Sequence, residues 1–166
     1  MPDSKYGKYI IRSPLVVDPN CPPGEGIKGV TFPNEIFMSP HLVKGCPLLV
    51  DIGWHFTVPD PDPVEGTHFH DFDMVLCFVG SDPKDPSNLG AILEMQLGGE
   101  KHMLTKTCSI FIPKGLEHCP LIHRRVDRPY LQIEFAVSDL ASYIVPNFTK
   151  TISINTKPFV DAASNI

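Results

Sequence analysis

The chain is 166 residues long, 42% hydrophobic and 20% charged, with a formal net charge of −5 from 14 basic and 19 acidic residues. That length suits one domain with a core that needs no staples, and an acidic chain without a clustered basic face argues against nucleic-acid binding. No apolar run approaches the roughly 18 residues that span a bilayer, the opening MPDSKYGKYI lacks the apolar stretch of a secretory signal, and Pro plus Gly stay below the level of low-complexity chains.

In chain order, residues 1–47 read as a turn-rich N-terminal arm. Pro14, Pro19, the Cys21-Pro22-Pro23-Gly24 stretch, Pro33 and Pro40 punctuate short strand-like pieces at 9–11 and 15–17. The arm is expected to pack on the rest of the domain or on a neighbouring subunit, which makes a homodimer the expected assembly. From residue 48 the pattern changes to β-type runs at 48–52, 54–58, 74–79, 91–97, 109–112 and 131–137. Their short lengths, their β-branched and aromatic content and the Gly, Pro and Asp between them favour strands. Segments 59–66 (PDPDPVEG) and 81–90 (SDPKDPSNLG) are loops. A helical turn or two is expected at 138–143, capped by Ser138 or Asp139. The barrel domain is taken to run over 48–145, and 146–166 is a polar C-terminal extension. Many short strands with under about a tenth of residues in α-helix predict a sandwich or small barrel.

Five cysteines, Cys21, Cys46, Cys77, Cys108 and Cys119, stand at irregular spacing with no CxxC pair. This opposes a disulfide framework or a structural zinc site. Cys77 and Cys108 read as buried structural thiols, and a reducing, cytoplasmic setting is expected.

The chemistry concentrates in two segments. In Thr67-His68-Phe69-His70-Asp71-Phe72-Asp73-Met74, His68 and His70 stand two apart, so an extended backbone projects both imidazoles from one face. Two converging imidazoles are half of a metal site. In Pro113-Lys114-Gly115-Leu116-Glu117-His118, a turn made by Pro and Gly leads straight into a strand and aims His118 at a set place. Cys119 follows His118 directly, so strand alternation turns it to the opposite face, and it is not proposed as a nucleophile.

HFHDFDMVLCFVG followed by CSIFIPKGLEHCP resembles the two motifs of the cupin superfamily, over about residues 48–137. The resemblance implies an all-β chain, a double-stranded β-helix (jelly-roll) barrel carrying the N-terminal arm, with a metal inside. It also implies that His68, His70 and His118 are ligands. The family's glutamate has no clean counterpart, because its position falls on Met74, a poor ligand for Fe, Mn or Ni. Asp73 stands one residue early and faces away from the histidines unless a bulge re-aims it. It is therefore expected either as a bulge-rotated fourth ligand or as a group that orients a histidine through its other ring nitrogen. Met74 is expected to line the pocket as an apolar wall. Thr107-Cys108-Ser109 replaces the Gly-Asp turn usual before the second motif.

Other residues carry weaker signals. His55, beside Trp54, reads as a surface histidine or as one at the barrel mouth. Glu94 and Gln96 share one strand face, as do His102 and Leu104 if that strand resumes; this face looks either into the pocket or out to solvent. Arg124, Arg125 and Arg128 read as surface charge, with a carboxylate clamp as the alternative. The expected cofactor is one divalent transition metal, Fe, Ni, Mn, Cu or Zn. With no charged ligand it would form a net +2 site for a small, anionic or enolisable molecule. The resemblance leaves two functions open: a metalloenzyme of dioxygenase, isomerase, lyase or cyclase type, or a non-catalytic binding module.

Overall fold

The structure, a computed structural model, describes residues 6–10, 27–30, 36–38 and 43–137. Among them every extended element is a β-strand, and the one helical element is a single 3-10 turn, Gly7–Tyr9. Tyr9 therefore belongs to a turn and not to the short strand expected at 9–11. The expected strand at 15–17, the helix at 138–143 and the extension at 146–166 lie outside the described residues.

Two antiparallel sheets make the body. The larger contains β1 (Lys28–Val30), β2 (Ile36–Met38), β3 (Leu49–Asp60), β4 (Met74–Gly80), β7 (Cys108–Ile112) and β9 (Tyr130–Ala136), in the order β1-β3-β9-β4-β7 with β2 also on β3. The smaller runs β6 (Glu100–Lys106), β5 (Asn88–Leu97), β8 (His118–Val126). Together they form a jelly-roll sandwich, the all-β class that the strand pattern predicts.

The runs at 48–52 and 54–58 are one strand. Gly53, read as a break, pairs with Gln132 in an unbroken register from Leu49↔Ala136 to His55↔Tyr130. Cross-strand pairing overrides the intrinsic weakness of glycine. β6 was not among the expected runs because its residues are polar and mostly exposed, as suits an edge strand. Its signal is the Gly98-Gly99 pair. Leu97 pairs with Glu100, and both glycines hold positive φ (54° and 84°), the geometry of a two-residue hairpin loop.

Alternation divides the large sheet. Met74, Leu76 and Phe78 of β4 point inward with Ile112, Tyr130 and Ala136, and they pack against Leu89, Ala91, Leu93 and Met95 of β5. On the opposite face, registered rows are apolar too: Val50, Phe135, Val75 and Phe111 form one row, and Trp54, Leu131 and Val79 another. β4 and β5 come very close where they meet, since a Cβ on Gly80 would stand 2.0 Å from the Asn88 carbonyl oxygen. Among the described residues, no helix is long and apolar enough to cross a membrane.

Candidate metal centre

His68 and His70 precede β4 in a segment whose burial alternates strictly. His68, His70, Phe72 and Met74 are buried, while Phe69, Asp71 and Asp73 are exposed. The backbone of His68 is paired with that of His118: His68 N donates to the His118 carbonyl (3.0 Å), and His118 N donates to the His68 carbonyl (2.9 Å). Gly115 N, in the turn of the second motif, donates to the His70 carbonyl (2.8 Å). These bonds gather the three imidazoles, with ring centroids 4.9 Å apart for His68–His70, 4.4 Å for His68–His118 and 5.1 Å for His70–His118. One ring nitrogen from each lies within 4.8 Å of the other two, a spacing at which they could hold one metal ion.

The tautomers suit that role. Nδ1 of His68 donates to the Gly66 carbonyl (2.8 Å) and Nδ1 of His118 to the Leu116 carbonyl (3.0 Å). Each bond puts the proton on Nδ1 and leaves the Nε2 lone pair for a metal. His70 stacks on Phe72 at 4.7 Å. Burial, then the neighbouring His68 and His118, lower the His70 pKa to about 4. Burial is also the main cause that lowers His118. Neutral imidazoles are the form that binds metal.

Asp73 has another task. Its side chain is exposed, and its Oδ1 accepts a hydrogen bond from Lys114 N (2.8 Å). It buttresses the Pro113–His118 turn and is neither a re-aimed ligand nor a partner of a histidine ring. Met74 is buried in the core beside Phe72.

Two residues that alternation would separate come inward together. Cys119 adopts φ 62°, a left-handed conformation, and so His118 and Cys119 are both buried. The expectation that Cys119 faces away fails at this kink, which no periodicity rule anticipates. Its thiol is pushed up to about 12 by burial and then by Glu65 and Glu134. Glu65 belongs to no motif in the sequence, where 59–66 reads as a plain loop. Its Oε2 lies 3.8 Å from Nε2 of His68, and Glu65, His68 and Cys119 form a second set of donors within 4.8 Å of one another. Burial raises the Glu65 carboxyl, while His68 pulls it the other way. Asp51, opposite Glu134 on the inner face, is raised to about 7 by burial and by Glu65. Three carboxyl groups, Glu65, Asp51 and Glu134, thus lie on the inner side of the large sheet or in the loop beside His68.

A further polar network lies at the other end of the same interior. Asp62 takes the backbone N–H of His123 on Oδ2 (3.0 Å) and its Nδ1 on Oδ1 (2.7 Å). Nε2 of His123 accepts from the Tyr130 hydroxyl (2.6 Å). His55 lies flat against both rings, 5.1 Å from His123 and 4.7 Å from Tyr130. It is an interior residue rather than a surface or mouth histidine.

The remaining candidates stand apart. Glu94 alternates with core residues Leu93 and Met95 and turns outward, where it pairs with Arg124 (2.5 Å) and Lys101 (3.1 Å). Gln96 pairs in register with Lys101 on that same outer face. His102 is exposed and lies 3.7 Å from Glu100. None of the three belongs to the apolar core: Glu94, although only 8% exposed, is held among Arg124 and Lys101, and alternation gives the inward positions of β5 to Leu93 and Met95. Arg125 bonds Asp127 (2.9 Å) and Arg128 approaches Asp82 (3.9 Å), ordinary surface pairs.

No protein-family model matches the chain, and no curated protein matches it. Among solved structures it is similar to KdgF from Halomonas sp., at 18% identity over 58% of this chain and 74% of that one, with a TM-score of 0.39. An RmlC-like cupin from Shewanella frigidimarina is 15% identical over 55% of this chain and 68% of that one, with a TM-score of 0.36. The Cnp3 cupin domain of Schizosaccharomyces pombe is 8% identical over 72% of each chain, with a TM-score of 0.44. The two antiparallel sheets, with the HxH and PxGxxH segments stitched together between them, are consistent with the jelly-roll arrangement that the two sequence motifs imply, and cupins are among the solved structures to which the chain is similar.

Proposed function

We propose that the chain is a metal-dependent cupin enzyme that holds one divalent transition metal on His68, His70 and His118 and acts on a small organic molecule. The observation that carries this reading is the buried convergence of three imidazoles, two of them with Nδ1 tied to backbone carbonyls and Nε2 left open. Imidazole donors suit Fe, Ni, Cu or Zn and not Mg or Ca. His68, His70 and His118 would hold such a metal, which would supply Lewis-acid or redox chemistry when bound. The protein's part is to orient the rings through carbonyl bonds, exclude water with Phe72 and Met74, and set acidic groups beside the centre. The reaction type, among cleavage by dioxygen, isomerisation, elimination and cyclisation, is left to assay.

Elemental analysis of the purified chain tests the centre. One transition metal per chain is expected in the wild type, and its loss in His70→Ala and in His118→Ala. Full metal content in both variants would overturn the assignment.

A further inference from the structure

We infer that Glu65, from the loop before the histidine pair, is the acidic ligand of this centre. The inference rests on the proposed three-histidine metal site and adds to it a carboxylate from the N-terminal side of His68. The position that follows the histidines is taken by Met74, and the nearest acid after them, Asp73, is exposed and engaged with Lys114 N. Glu65 is aimed at the correct atom: its Oε2 stands 3.8 Å from Nε2 of His68, the nitrogen that the Gly66 bond leaves open. Two donors at about 2.1 Å from one tetrahedral ion lie about 3.4 Å apart, so Glu65 already stands near that spacing from His68, and its carboxylate would have to swing toward His70 and His118 to join them.

The loop is built to hold it there. Upstream, Asp62 is clasped by both the backbone N and the Nδ1 of His123. Downstream, Gly66 takes the Nδ1 proton of His68. Glu65 thus stands between two anchored positions of the loop, one of them bonded to the metal-site histidine His68. Cys119 is the competing donor, since its sulfur lies in the same set as Glu65 and His68.

Cobalt(II) titration of the full chain, followed by its visible spectrum, tests the assignment with Glu65→Gln, Glu65→Asp, Asp73→Ala and Cys119→Ser. The wild type is expected to bind one cobalt. Glu65→Gln should lose more than about 100-fold in affinity, beyond the loss typical of an outer hydrogen-bond partner, with a changed d–d spectrum. Glu65→Asp should recover part of the affinity, and Asp73→Ala should keep the wild-type spectrum. Far-ultraviolet circular dichroism of the metal-free variants reports folding, and the Asp variant carries the test if the Gln variant does not fold. Wild-type affinity and spectrum in Glu65→Gln would overturn the role of Glu65 while leaving the three histidines in place. A thiolate-to-cobalt charge-transfer band, lost in Cys119→Ser, with Glu65→Gln unaffected, would overturn it in favour of Cys119. No cobalt binding by the wild type would overturn the metal centre itself, and Glu65 with it.

Discussion

Replacing His55 by Phe should change how the stability of the metal-free protein depends on pH. The ring is held flat between neighbours in the interior, and its pKa falls from 6.5 to about 3, by burial first and then by His123. The sign follows from proton counting. Below pH 6.5 the unfolded chain takes up a proton on His55, whereas the folded chain does not until pH approaches 3, so stability is lost as pH falls through that window. Integrating between the two values gives about 2 kcal/mol lost from pH 7.5 to pH 5 through this residue alone. For a chain of this size that corresponds to roughly 4–8 °C in Tm. Asp51, raised to about 7, runs the opposite way: its folded form holds a proton that the unfolded chain releases, so it costs stability as pH rises. The wild-type curve therefore mixes signs, and the observable is the difference between wild type and variant. Phe keeps the stacking and removes the titration. Urea denaturation at several pH values, with chelator present, should show the gap between the two proteins shifting by about 2 kcal/mol in favour of the variant between pH 7.5 and pH 5. Parallel curves would refute the argument.

Asp73→Ala should lower stability by about 1 kcal/mol through loss of its bond to Lys114 N, while metal content measured by elemental analysis stays at the wild-type level. Gly80→Ala should destabilise strongly, by more than about 2 kcal/mol, because its Cβ would meet the Asn88 carbonyl backbone at 2.0 Å; an unchanged thermal midpoint would contradict the close approach of β4 and β5. The outer rows of the large sheet, which include Phe135 and Phe111, at 39% and 61% exposed, suit face-to-face packing on a second copy of this chain. Sedimentation equilibrium should give twice the chain mass, and Phe135→Glu should shift it toward the monomer; a wild-type monomer at micromolar concentration would count against this.

The parts legible in the sequence were those governed by short-range rules. Alternation predicted the inward side of β4, and the same parity correctly set Met74 inside and Asp73 outside. The two histidine segments were readable because a spacing of two fixes a face, and because Pro113 and Gly115 make a turn. What stayed hidden depended on the chain's return from far away. Gly53 lies mid-strand because β9 pairs along all of that stretch. The loop at 59–66 contributes Glu65 because His123, some sixty positions later, clasps Asp62. Cys119 turns inward through a left-handed backbone that non-glycine residues seldom adopt. His55 resembled a surface residue because its burial is made by Tyr130 and His123, and neither is near it in sequence.

The mutual backbone bonds of His68 and His118 also set a clock. Two segments whose amides donate to each other's carbonyls cannot open one side at a time, and the Gly115 bond to His70 joins the third imidazole to the same event. The amide protons of His68, Gly115 and His118 should therefore exchange with solvent as one unit, at a rate fixed by a single opening of the two motifs away from each other. An ion held by these side chains would escape no faster through rearrangement of the chain than this opening allows. Hydrogen exchange at three backbone positions would then read out how long the centre stays closed.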